Sequence, residues 1–293
     1  MNRYFDKVVI CYLVINKITE YPVLAIQSCL DNSNLNIILG YLNEIDVAHL
    51  PKSPRIQLLK LESDLCEPSK NYVGFDNLEF YRIVTLKWRM FQSLFEKGYE
   101  HLIYSDLDVI WFRDVSKKLV EIHEKFPQKS ILIQDATFDP ATPRLCMGLL
   151  SIRKTRDTLN MLQTCYESHV AKVESGIMFG DDDAISNFYL ENGGPDWIGL
   201  LPQASFPVGN LLNSYIRKPL IPGLRPMFEA PNPFRPYIFH ANYVIGEMNK
   251  RLLIRVALQE ITDKFTMTPK WVLILHIKRL RELKRNILAR IRK

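Results

Sequence analysis

The sequence predicts an α/β fold: a mostly parallel, Rossmann-like sheet flanked by helices, followed by a basic amphipathic helix at the C-terminal end. Three observations predict it. Short apolar, β-branched runs alternate with longer segments whose apolar residues recur every three to four positions, the pattern of a parallel sheet with covering helices. The chain has 293 residues, 47% of them hydrophobic, which suffices to bury the core of one large domain. Residues 264–293 hold ten of the 38 Lys and Arg but only one of the 32 acidic residues, so the net charge of +6 belongs to the tail while the body is mildly acidic. The division expected is one domain over residues 1–263 and a helix over 264–293.

The elements follow in order. Residues 8–15 form an apolar run closed by Asn16 and Lys17, the mark of a buried first strand. Pro22 opens a helical stretch that ends near residues 32–34, and further strands are expected over 36–40 and 55–61. Residues 63–77 contain Pro68, Gly74 and several polar side chains and read as a loop. Phe80, Ile83, Val84, Trp88, Phe91, Leu94 and Phe95 recur at helical spacing, with Gly98 as a stop just beyond. A short strand over 101–105 delivers the chain to Asp106. Later strands are expected over 131–134 and 148–152, with helices over 155–168 and 182–191. The stretch 202–236 is rich in Pro, Gly and Asn and reads as irregular, and 237–240 as a last short strand.

Five cysteines, an odd set with no close pair, argue against both a disulfide framework and a thiolate zinc site. No early apolar run is long enough to span a bilayer and no cleavable leader is recognisable, so a cytoplasmic location is expected, with any membrane met from its surface. Such contact would fall to residues 269–293, where Leu273, Ile277, Leu280, Ile287 and Ile291 form an apolar stripe among lysines and arginines. That pattern suits an anionic membrane surface. Nucleic acid is not expected, because Trp271 is the lone aromatic residue among those charges.

The chemistry centres on Asp106 and Asp108, two carboxylates one residue apart at the end of an apolar strand. A hard divalent cation takes oxygen ligands and can bridge an Asp to the phosphate oxygens of a nucleotide. The carboxyl ends of parallel strands are also where open α/β sheets bind ligands. Two acidic residues at this spacing are common in solvated turns. Here hydrophobic residues flank them on both sides, and a carboxylate beside a buried strand is costly unless it is paired or ligates a metal.

Lys87-Trp88, Gly98-Tyr99 and the run from Tyr104 through Asp106 and Asp108 to Trp111 resemble the nucleotide-diphospho-sugar transferases, in particular the plant α-xylosyl- and arabinosyltransferases. Three later segments are similar to that family's and come in its order: Met147 to Arg153, Asp182 to Asn187, and His240-Ala241-Asn242 with Gly246 and Lys250. Two positions depart from the pattern, Cys146 standing for an Asn and Asp183 for a Gln. The resemblance implies a GT-A fold, a UDP-sugar donor, Mn²⁺ or Mg²⁺ as cofactor, and transfer with retention to a glycan or glycolipid acceptor. It makes His240 a third metal ligand beside Asp106 and Asp108, and sets Lys87, Gly246 and Lys250 at the donor diphosphate. Val14, Ile15 and Asn16 are expected against the uracil and ribose. Asp182 and Asp183 are nominated for catalysis through contacts to sugar and acceptor, although acidic residues at a helix start also serve as caps.

Two rival functions accompany this reading. A phosphohydrolase of the haloacid dehalogenase type would use Asp106 and Asp108 in an Asp-x-Asp motif, but that motif normally follows the first strand. A non-catalytic scaffold that binds a sugar nucleotide would share the same residues without turnover.

Overall fold

A computed structural model describes residues 7–15, 18–42, 47–65, 77–137, 144–208, 236–242, 250–251, 254–255 and 257–258. Asn16, Gly246 and the expected tail helix over 264–293 lie outside the described residues.

Nine strands and six helices are described: β1 (Val8–Val14), α1 (Glu20–Asn32), β2 (Ile37–Tyr41), β3 (Ile56–Lys60), α2 (Leu78–Val84), α3 (Leu86–Glu96), β4 (His101–Ser105), β5 (Val109–Trp111), α4 (Val115–Lys125), β6 (Ile131–Asp135), β7 (Leu145–Arg153), α5 (Arg156–Glu174), α6 (Asp181–Glu191), β8 (Ile198–Leu201) and β9 (Ile238–His240). Seven strands make the main sheet in the order β3-β2-β1-β4-β7-β6-β8. Every neighbouring pair is parallel except the two that involve β7, so the sheet is mostly parallel, as expected of an α/β fold of GT-A type. The short β5 and β9 pair antiparallel in a second sheet.

The period of two along β1 builds the two faces of the core. Val9, Cys11 and Leu13 join a cluster with Trp88, Phe91 and Phe95 of α3 and Met161 and Leu162 of α5. Val8, Ile10, Tyr12 and Val14 join another with Ile26 and Cys29 of α1 and Val115 and Leu119 of α4. The described cysteines Cys11, Cys29, Cys146 and Cys165 are all buried and unbridged. No helix among the described residues is long and apolar enough to cross a membrane.

Several elements differ from the sequence reading. The helix expected over 80–95 is two helices, α2 and α3, broken at Thr85. There the Thr85 N–H and hydroxyl both turn to the Arg82 carbonyl, at 3.3 and 2.6 Å, a tighter i to i+3 turn at the junction of the two helices. Gly98 does end α3, with φ 94, a conformation that favours glycine. Helix α5 runs on to Glu174, past the expected end at 168. Helix α4, capped by Asp114 accepting from Lys117 N–H at 2.9 Å, and the short strands β5 and β8 were not anticipated.

Candidate active site

Strand order reverses between β1 and β4, so their carboxyl ends flank a crevice of the kind in which doubly wound sheets bind ligands. A cleft of about 340 Å³ opens there, lined among others by Leu13, Lys87, Asp106, Asp108, Asp182 and His240.

Asp106 is the first residue past β4. Its N–H donates to the Gly148 carbonyl at 2.8 Å and its own carbonyl accepts from Val109 N–H at 3.1 Å. That tight turn carries Asp108 to the start of β5. Val109 then pairs with His240 of β9, and Ala241 N–H donates to the Asp108 carbonyl at 3.0 Å. Backbone pairing of two distant segments therefore sets the imidazole against the carboxylates. His240 Nε2 lies 3.2 Å from Asp108 Oδ1 and 3.8 Å from Asp106 Oδ2. One ligand atom from each of the three residues falls within 4.8 Å of the others. Two carboxylates and an imidazole are a donor set that fits Mn²⁺ or Mg²⁺.

Each carboxylate also meets a lysine. Lys250 Nζ donates to Asp108 Oδ2 at 2.5 Å, and Lys87 Nζ lies 3.4 Å from Asp106 Oδ1. Burial by itself would raise the Asp108 carboxyl, but the Lys250 ammonium and His240 outweigh it and hold Asp108 well below the usual carboxylate range. Lys87 is almost fully buried, which disfavours its charge, yet Asp106 and Asp181 hold its pKa well above the ordinary lysine value. It also sits 4.4 Å from the centroid of the Tyr104 ring, and the Tyr104 hydroxyl donates to Asp106 Oδ1.

The acidic start of α6 divides into three different environments. Asp181 pairs with Lys87. Asp182 Oδ1 accepts from Met147 N–H at 2.6 Å, and burial followed by the neighbouring Asp181 charge raises its carboxyl to about 7. Asp183 Oδ2 accepts from Gly180 N–H at 2.9 Å and so does cap the helix, while still lining the cleft.

Of the residues expected at the site, Lys87, Asp106, Asp108, Asp182, Asp183, His240 and Lys250 all line this cleft. Val14 does not: its side chain packs into the core on the opposite face of β1, and period two instead turns Leu13 and Ile15 to the cleft. Asn16 and Gly246 lie outside the described residues. Sequence reasoning missed Tyr104, Gln134, Gly148 and the separate role of Asp181. Gly148 is required by close approach, since a Cβ there would fall 1.9 Å from His240 Cε1.

A model of the family described as nucleotide-diphospho-sugar transferase matches residues 50–254, which includes every cleft residue just named from Lys87 to Lys250. No curated protein matches the chain.

Proposed function

The chain belongs to the nucleotide-diphospho-sugar transferase family, and on that premise we propose that it moves a sugar from a UDP-sugar to a glycan or glycolipid acceptor with the help of Mn²⁺ or Mg²⁺. The observation that carries this reading is the convergence of Asp106, Asp108 and His240 within 4.8 Å at the carboxyl end of β4. A divalent ion held by those three residues would supply Lewis-acid neutralisation of the departing diphosphate. Lys87 and Lys250 bring two further positive charges to the same wall of the cleft, where they can meet phosphate oxygens. Leu13 and Ile15 offer an apolar floor for the base.

Asp182 faces the same cleft with a carboxyl that titrates near neutrality. That property suits it to hold or release a proton while it contacts the sugar or the acceptor hydroxyl. Asp183 has one oxygen committed to its helix cap, which leaves its second oxygen for substrate. Retention of configuration requires either entry of the acceptor on the face the diphosphate leaves or a carboxylate nucleophile, and Asp182 is the candidate for the second route. The basic stripe of residues 269–293 supports action on membrane-borne acceptors at an anionic surface. Family membership speaks against the phosphohydrolase alternative, as does the position of Asp106 after the fourth strand rather than the first.

A screen of UDP- and GDP-sugars for Mn²⁺-dependent donor hydrolysis, with Asp108→Ala as control, tests the proposal. Release of UDP that is abolished by EDTA and by the substitution is expected. Activity that survives both, or release of inorganic phosphate, would overturn it. Metal-dependent UDP binding without turnover on any donor and acceptor would favour the scaffold instead.

A further inference from the structure

A metal-ligating imidazole needs its lone pair on the correct nitrogen, and the group that decides this for His240 stands on β6. Gln134 is fully buried. Its Nε2 donates to the Phe206 carbonyl at 3.2 Å, and its Oε1 lies 3.0 Å from His240 Nδ1. A backbone carbonyl can only accept, so the amide nitrogen must face Phe206 and the amide oxygen must face His240. The oxygen in turn requires an N–H at Nδ1. A neutral ring with its proton at Nδ1 has its lone pair at Nε2, the atom 3.2 Å from Asp108 Oδ1.

The other neighbour of Nδ1 does not reverse this order. Cys146 Sγ lies 3.7 Å from it, a long contact for a weak thiol donor, and the sulfur itself accepts from Asn242 Nδ2 at 3.5 Å. The local fold is also irregular where it serves this contact. The β6–β7 register shifts between Ile133 and Gln134, which places Gln134 opposite Cys146, and irregularities of this kind re-aim side chains beside functional sites. Gly148 in the same stretch of β7 leaves the imidazole the space it needs.

We infer that Gln134 is a positioning residue that fixes His240 as the Nδ1–H tautomer and so turns its Nε2 lone pair toward Asp106 and Asp108. The proton at Nδ1 follows from the hydrogen bonds alone, whereas the use of Nε2 in metal binding rests on the function proposed above. Outer partners of ligating histidines typically change metal affinity by about 10–100-fold when removed.

Two measurements on the full chain test this. Long-range ¹H–¹⁵N correlation spectra of the protein without added metal at pH 8, with His240 assigned through His240→Gln, should show a ring protonated at Nδ1. Gln134→Leu, which keeps the volume and removes the amide, should lose that single-tautomer signature. Gln134→Glu, whose carboxylate still accepts from Nδ1–H, should restore it. Mn²⁺ titration followed by electron paramagnetic resonance should then show affinity weakened about 10–100-fold in Gln134→Leu and largely recovered in Gln134→Glu. A ring without a proton at Nδ1 in the unsubstituted protein overturns the inference, as does a Gln134→Leu variant with unchanged ring protonation and unchanged Mn²⁺ affinity. Absence of Mn²⁺ binding by the unsubstituted protein would instead count against the metal reading, and the tautomer spectra would still decide the role of Gln134.

Discussion

The two ends of β4 both carry buried polar groups, but they are completed in different ways. At the amino end, His101, Ser151 and His123 form a chain of hydrogen bonds inside the protein. His123 Nδ1 donates to the Lys129 carbonyl at 2.8 Å, so its Nε2 must accept from the Ser151 hydroxyl, 2.9 Å away. The Ser151 oxygen then accepts from His101 Nε2, at 2.6 Å. Burial pushes both rings toward their neutral forms, His101 well below its ordinary value and His123 to about 4. At the carboxyl end, Nε2 of His240 and Oδ1 of Asp108 face each other at 3.2 Å as two acceptors when the ring is in the tautomer Gln134 selects. A proton or a metal cation has to stand between them. Satisfied buried polar groups serve the fold, and a cluster that asks for an outside cation marks a site.

Substitutions at the two ends should therefore separate activity from stability. The largest effect is expected from Asp108→Asn, which removes a carboxylate charge from the proposed metal site and should cut Mn²⁺-dependent UDP release on the order of 10³-fold while far-ultraviolet circular dichroism remains that of the folded protein. Near-normal turnover would break the distinction. Gly148→Ala comes next: the added methyl displaces the His240 ring, and a shift of this size at a reacting centre costs about 10²-fold in kcat/KM, with a parallel loss of Mn²⁺ affinity. At the amino end, Ser151→Ala leaves a buried lone pair and a buried N–H unmet. Urea unfolding should show a loss of about 1–3 kcal/mol with kcat/KM unchanged.

Opposite pH dependences sharpen the same contrast. For His123, the unfolded chain binds a proton near the ordinary value of 6.5 that the folded protein refuses until about 4. Stability from this group is full above 6.5 and lost as pH falls through 4, a change of about 3 kcal/mol. Asp182 has the reverse sign, since the folded protein keeps until about 7 a proton that the unfolded chain releases at 3.8. Its contribution is full below 3.8 and lost as pH rises through 7, and water in the cleft reduces its size. Between pH 4 and 6.5, His123→Gln should flatten the rise in unfolding free energy with pH, while Asp182→Asn should steepen it. The same slope in both variants would show that neither group controls stability in this range.

Much of this was legible in the sequence where one segment carries its own signal. The run into Asp106 carries Leu102, Ile103 and Tyr104 in succession and then turns abruptly acidic, and α3 repeats large apolar side chains at helical spacing before Gly98. Strand β5 was hidden because its three residues directly follow Asp108 and read as flanking apolar chain, and β8 because four residues give no period. Helix α4 did carry a signal, Asp114 ahead of Val115, Leu119 and Val120, that a closer reading could have found. The arrangement around Asp106, Asp108 and His240 was hidden for a deeper reason. Gln134, Gly148 and Asp181 act through partners far away in sequence: strand pairing around β7 brings the first two to His240, and the packing of α6 brings Asp181 to Lys87 of α3. Likewise Val14 and Leu13 are indistinguishable as apolar neighbours until the faces of β1 are known.

The most direct measurement is calorimetric titration of UDP in the presence of Mn²⁺ into the unsubstituted protein, Asp108→Asn and Ser151→Ala. Binding that requires the metal, vanishes in Asp108→Asn and persists in Ser151→Ala is the predicted result. Binding of UDP that is indifferent to EDTA and to Asp108→Asn would contradict the assignment of the carboxyl end of β4 as the donor site.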